Sequence, residues 1–221
     1  MRDMTLKEWI EQGQDPSTYY CRNRKTPLML TGLWTAIVRQ FYLDPENLYR
    51  EVMAWDPTGK NDKKTYIEGS NIWKDDKIDL RPAIVVDVGD MQMQPNHFQG
   101  MDRRQGFDMV EGESFYERSV VGSVVLAHLG KNRGQVINYA SNTYDLIDAF
   151  ARTIKHDYCF DILEMRSILK PRLRKADPED WESLLQIDFQ FREGFSVKTE
   201  SPKLKTISLK AVVNPSDTQQ I

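Results

Sequence analysis

The chain has 221 residues, 40% of them hydrophobic and 29% charged, with a formal net charge of −3. Such a composition excludes global disorder, and a chain of this length buries a real core without covalent staples. The near-neutral balance excludes a global pull toward nucleic acid, so a DNA contact would need a local basic patch.

The opening Met1-Arg2-Asp3-Met4 lacks the apolar core of a signal peptide, and no apolar run approaches the roughly 20 residues that span a bilayer. The expectation is a protein made and assembled inside a cell, with no membrane partner. The two cysteines, Cys21 and Cys159, fit neither a disulfide framework nor a zinc pattern, and they read as free thiols of a reducing cytosol.

Thr5-Leu6-Lys7-Glu8 has the spacing of a capping box and predicts a short helix through residue 11, bearing Leu6, Trp9 and Ile10. Residues 1–26 form an N-terminal arm that either docks on a neighbour or frays. Leu30, Leu33, Trp34, Ile37, Val38 and Phe41 lie on one stripe of a helix over 27–42. After Asp44-Pro45-Glu46 the pattern allows a second helix over 47–54 or an edge strand over 48–55. Thr65-Tyr66-Ile67 and Ile72-Trp73 are short apolar pieces. Ala83-Ile84-Val85-Val86-Asp87-Val88 and the run from Val120 to Leu129 are apolar on both parities, which predicts strands covered on both faces. Gly122 within the second run predicts a bulge or a close backbone approach.

Between those strands, residues 89–113 are polar and rich in methionine. They read as an extended loop or β-arm that begins at Met91 and Met93 and returns through Phe115. Past the turn Gly130-Lys131-Asn132-Arg133-Gly134, a short strand is predicted over 135–139 and a helix from Tyr144 to Tyr158, capped by the Ser141-Asn142-Thr143 cluster. Ile162, Leu163, Met165, Ile168 and Leu169 predict continued helix up to Pro171. Leu185, Ile187, Phe189 and Phe191 alternate with polar residues as a half-buried strand, and Ile207, Leu209, Ala211 and Val213 alternate likewise. Residues 214–221 are a polar tail. The resulting fold class is α+β: one domain over 27–213, with a mainly antiparallel mixed sheet, helices packed on one face, an N-terminal helical arm and the 89–113 insertion.

No phosphate loop, dinucleotide fingerprint, zinc-protease or nucleophile-elbow motif occurs. Asp87, Asp90, His97, Asp102, Asp108, Glu111 and Glu113 are the best candidates for a divalent metal, as in a metal-dependent nuclease, but the acid-x-Lys element of a common nuclease core does not follow Asp87 or Asp90. The expectation is therefore no catalytic site, no cofactor and no metal. His128 reads as a hydrogen-bonded core histidine and His156 as a complement to a helix C-terminus. Lys131 and Arg133, with Lys170, Arg172 and Arg174, could line a DNA channel through phosphate contacts.

Taken together, the helix from Leu28 to Tyr42, Arg81-Pro82-Ala83-Ile84-Val85-Val86, Val136-Ile137-Asn138-Tyr139-Ala140-Ser141 as a strand end, Asp148-Ala149-Phe150-Ala151 in a helix and a final strand pair resemble the tail-terminator and neck proteins of tailed bacteriophages. The resemblance implies a non-enzymatic ring, usually a hexamer, in the virion at the head-proximal end of the tail. It would cap the tail tube and join the neck and connector proteins, with non-specific contact to passing DNA. Other virion rings, of head completion or the baseplate, share the pattern. Trp9, Met91, Met93, Arg103, Arg104, Phe107 and Phe115 are the candidate subunit-interface residues.

Overall fold

The computed structural model describes residues 6–14, 25–56, 64–72, 82–94, 103–108, 113–174 and 180–198. These residues fold as an α+β protein. Its elements are α1 (Leu6–Glu11), α2 (Pro27–Leu43), β1 (Tyr66–Gly69), β2 (Ala83–Val88), β3 (Gln92–Gln94), β4 (Arg103–Asp108), β5 (Glu113–Gly130), α3 (Arg133–Asp157), β6 (Ile162–Ile168), β7 (Arg172–Leu173) and β8 (Trp181–Lys198). The sheet runs β1-β2-β5-β8-β6, with β3 and β4 also paired to β5 and β7 to β8. β1 and β2 are parallel, whereas β2–β5, β4–β5, β6–β8 and β7–β8 are antiparallel.

The chain divides into two compact units, residues 1–93 with 120–192 and residues 94–119 with 193–221. In the first, α2 packs on β1 and β2, and α3 packs on β6. α2 starts where its sequence says it should: the Thr26 hydroxyl accepts from Met29 N at 3.2 Å and Pro27 opens the first turn. Its stripe Leu30, Leu33, Trp34, Ile37, Val38 and Tyr42 is buried against Ile67, Ile84, Val86, Val124 and Leu126 of the strands. Phe160, Phe189 and Phe191 continue this core with ring centroids 5.6 to 6.2 Å apart, and Trp34 lies 6.1 Å from Phe160. In the second unit, β4 pairs with the start of β5 from Arg103↔Glu117 to Asp108↔Glu113 with a register shift after Arg104, and Arg118 makes a buried ion pair with Glu193.

Several sequence expectations are corrected. Residues 135–139 are not a strand: α3 begins at Arg133, where Asn132 accepts from Gln135 N at 2.7 Å, and runs 25 residues. Val136, Tyr139, Ala140, Thr143 and Ile147 form its buried stripe. The Asn142 and Thr143 side chains, which look like caps, are spent on tertiary partners instead, Tyr49 N and Tyr42 Oη. Residues 162–168 are a strand, not a helix. Leu163, Met165 and Ile168 are half-buried and pack on the core, but a bulge between Met165 and Ser167 shifts the parity, so a period of two imitates one of 3.6. Residues 47–54 form neither a second α-helix nor a strand; a single 3₁₀ turn over Pro45–Asn47 replaces them, with Asp44 as its cap.

Cover on both faces of the central strands also fails. Val120, Gly122, Val124, Leu126 and His128 are buried under the helices, whereas Val121, Ser123, Val125 and Ala127 on the opposite face are only half-buried, and Asp87 is exposed. Gly122 is a close approach: a Cβ there would lie 2.7 Å from the Phe189 ring. Finally, Cys159 is disulfide-bonded and not a free thiol. The sequence holds one other cysteine, Cys21, outside the described residues.

Candidate interaction sites

The predicted DNA-facing residues are drawn from three separate stretches, and the fold brings them to one end of the sheet. Lys131 follows the last residue of β5, Arg133 opens α3, and Lys170, Arg172 and Arg174 lie on the connection from β6 through β7. β8 starts at the same place. Buried Asp180 takes the Lys131 ammonium at 3.1 Å on its carboxylate and the Arg174 N–H at 2.9 Å on its carbonyl. Arg172 pairs with Glu182 at 3.1 Å. Among the described residues here, five cations face two carboxylates, which leaves an excess of positive charge. Arg133 and Lys170 are both exposed. Such a group can hold phosphates by charge without reading sequence.

If this end meets DNA, full-length protein in a fluorescence anisotropy titration binds duplexes of unrelated sequence equally and weakens steeply with salt. Arg133→Glu with Lys170→Glu then weakens all of them alike and reduces the slope of log K against log salt by about 2. An unchanged slope would remove these residues from the interface.

The interface candidates fall differently. Met93 is 53% exposed on β3, whereas Met91 is half-buried against the core, near Gly122. Arg103, Arg104 and Phe107 lie on β4 and Phe115 on the part of β5 paired antiparallel to it. The side chains of these four, and that of Trp9 on α1, lie outside the described residues, as do His97, Asp102 and Glu111 of the metal candidates. Asp87 Oδ1 accepts from Ser70 Oγ at 2.5 Å and Asp90 is exposed; among the described residues no three His, Cys, Asp or Glu side chains gather as a metal site.

Sequence reasoning missed a groove between the outer sides of α2 and α3, about 520 Å³ in volume. Its apolar lining includes Ile37, Phe41, Phe150, Ile154 and Tyr158, and its ionisable side chains besides Tyr158 are Asp44 and Asp157. Phe41 and Phe150 stack at 5.4 Å, and Phe150 remains 42% exposed. By sequence Phe150 belongs to the apolar stripe Tyr144, Ile147, Phe150, Ala151, Ile154 and Tyr158 of the predicted helix; in the structure it is left 42% exposed, stacked on Phe41.

His128 is a buried structural residue, as expected. Its Nε2 lies 2.9 Å from Thr143 Oγ1, which also meets Tyr42 Oη at 2.7 Å. Burial, only partly offset by the carbonyls of Ser183 and Leu126, lowers its pKa to about 4. The folded state therefore keeps the ring neutral while the unfolded chain protonates it near 6.5. This contribution to stability is complete above pH 6.5 and is lost as pH falls toward 4, reaching roughly 3 kcal/mol. Urea midpoints compared between pH 7 and 4 for wild type and His128→Gln test this, with the variant expected to show the smaller drop.

A scan against protein-family models and a search of curated proteins each found no match. Among the described residues no helix is long and apolar enough to cross a membrane.

Proposed function

We propose that the chain is a structural virion protein of a tailed bacteriophage, a ring at the head-proximal end of the tail that caps the tail tube and joins it to the neck and connector proteins. The α+β sheet backed by α2 and α3 supports this reading, as do the β2 strand and the helix around Phe150 that belong to the resembling pattern. Two parts of that pattern carry no weight: residues 136–141 are helical, and 207–213 lie outside the described residues.

The observation that carries the proposal is the β4–β5 hairpin on an 18-residue β5 strand. A hairpin of this kind can pair by strand addition with a neighbouring chain, and repeated head-to-tail contacts between identical subunits close a ring. The basic end would then meet DNA in the channel by charge alone. Negative-stain electron microscopy of purified full-length protein tests the ring directly. Closed annular particles are the expected result, and a field of single-chain particles at every salt and protein concentration would overturn it.

A further inference from the structure

We infer that the groove between α2 and α3 is a docking site for the basic segment 203–213 of a neighbouring copy of this chain; the choice of a neighbour rests on the ring reading above. The groove offers apolar contact through Phe41, Phe150, Ile154 and Tyr158, and its carboxylates are Asp44 and Asp157, with no lysine or arginine in its lining. Arg152 and Lys155, on the same turns of α3, do not line it; His156 lies 2.9 Å from Asp157 Oδ1, and Asp44 caps the 3₁₀ turn, so each carboxylate holds one local partner. An occupant that matches must therefore combine apolar side chains with positive charge and bring no acid of its own.

Residues 203–213 meet that requirement by sequence. Lys203, Lys205 and Lys210 alternate with Leu204, Ile207 and Leu209, and the segment contains no Asp or Glu. The segment begins five residues after the end of β8 and ends fifteen after it, so its far end reaches up to about 50 Å from Lys198 when extended. α1 is a poorer match by sequence: its carboxylates Glu8 and Glu11 outnumber its one cation, Lys7, which already lies 3.8 Å from Glu11. Burying apolar area supplies the affinity of such a site, and the opposite charges fix which segment enters and in which direction.

The test places a photoreactive benzoylphenylalanine at Thr153, an exposed lining residue, in the full-length chain, and mixes it with isotope-labelled wild type. After irradiation, cross-linked peptides are identified by mass spectrometry and the mass of the same mixture is read by light scattering. Docking predicts that labelled peptides spanning 203–213 attach to unlabelled Thr153 peptides, with yield reduced roughly threefold to tenfold in Asp44→Asn with Asp157→Asn, which keeps the cap at 44. Tail cross-links confined to chains of one isotope would overturn the exchange between copies, and cross-links to other segments would overturn the docking site. If the mixture has the mass of an oligomer while either of those occurs, the ring reading survives without the docking; a monomeric mass removes both.

Discussion

Reducing the disulfide at Cys159 is expected to lower the unfolding free energy by about 2 to 5 kcal/mol. A bond within the chain closes onto Cys21, the one other cysteine, and a loop of about 140 residues restricts the unfolded chain by close to 5 kcal/mol on the chain-entropy relation, with native strain subtracting from it. Strain is visible at this position. Cys159 has φ 52°, the left-handed region in which glycine is favoured, and follows the last residues of α3 in a Schellman-type turn where Phe160 N donates to Lys155 O at 3.0 Å. The turn is also clamped from the start of α2. Buried Lys25 lies 4.3 Å from the Phe191 ring centroid and 5.4 Å from that of Phe160, and its Nζ reaches Cys159 O at 3.5 Å.

The chemistry at Cys159 thus opposes two effects, and they separate by substitution. Under oxidising conditions Cys159→Ser and Cys21→Ser should lose the same stability, each by urea denaturation. Under reducing conditions Cys159→Gly should exceed wild type by about 0.5 to 1 kcal/mol because the left-handed turn relaxes. No change in midpoint on adding reductant, with both cysteines then found reactive to an alkylating agent before and after, would show that the bond does not form in solution.

Phe189→Ala should cost 3 to 5 kcal/mol. Phe189 is 1% exposed, packs against the rings of both Phe160 and Phe191, and lies under the backbone of Gly122, so its removal leaves a cavity that the strands on both sides cannot close. The reverse change is nearly as informative. Gly122→Ala inserts a methyl group 2.7 Å from the Phe189 ring and 3.2 Å from Met91, and should cost about 1 to 3 kcal/mol. Because the two sites touch, they must couple: in a Phe189→Leu background the cost of Gly122→Ala should fall. Chemical denaturation of the four proteins in this cycle measures the coupling, and additive costs would contradict the contact.

What could be read from the sequence follows from which signals are local. α2 carries its cap, its proline and an uninterrupted stripe, so its boundaries were legible to one residue. β2 is legible as a short continuous apolar run opened by Pro82, and the first half of β8 by its undisturbed alternation. α3 was half-read, because Asn142 and Thr143 resemble caps and their true partners, Tyr49 and Tyr42, are about 100 positions away. β6 reads as helix by sequence because one bulge reverses its parity. The basic residues are visible one by one in the sequence, but only the fold places Lys131 beside Asp180 and Arg172 beside Glu182. The α2–α3 groove depends on two helices meeting side by side, for which no single segment carries a pattern.

The ring itself is tested most directly by the mass of the purified full-length protein, measured by light scattering after size exclusion across protein concentration and salt. The account predicts a closed species near six chains of 25.8 kDa, about 155 kDa, that does not grow with concentration. A strict monomer over the whole range would contradict it.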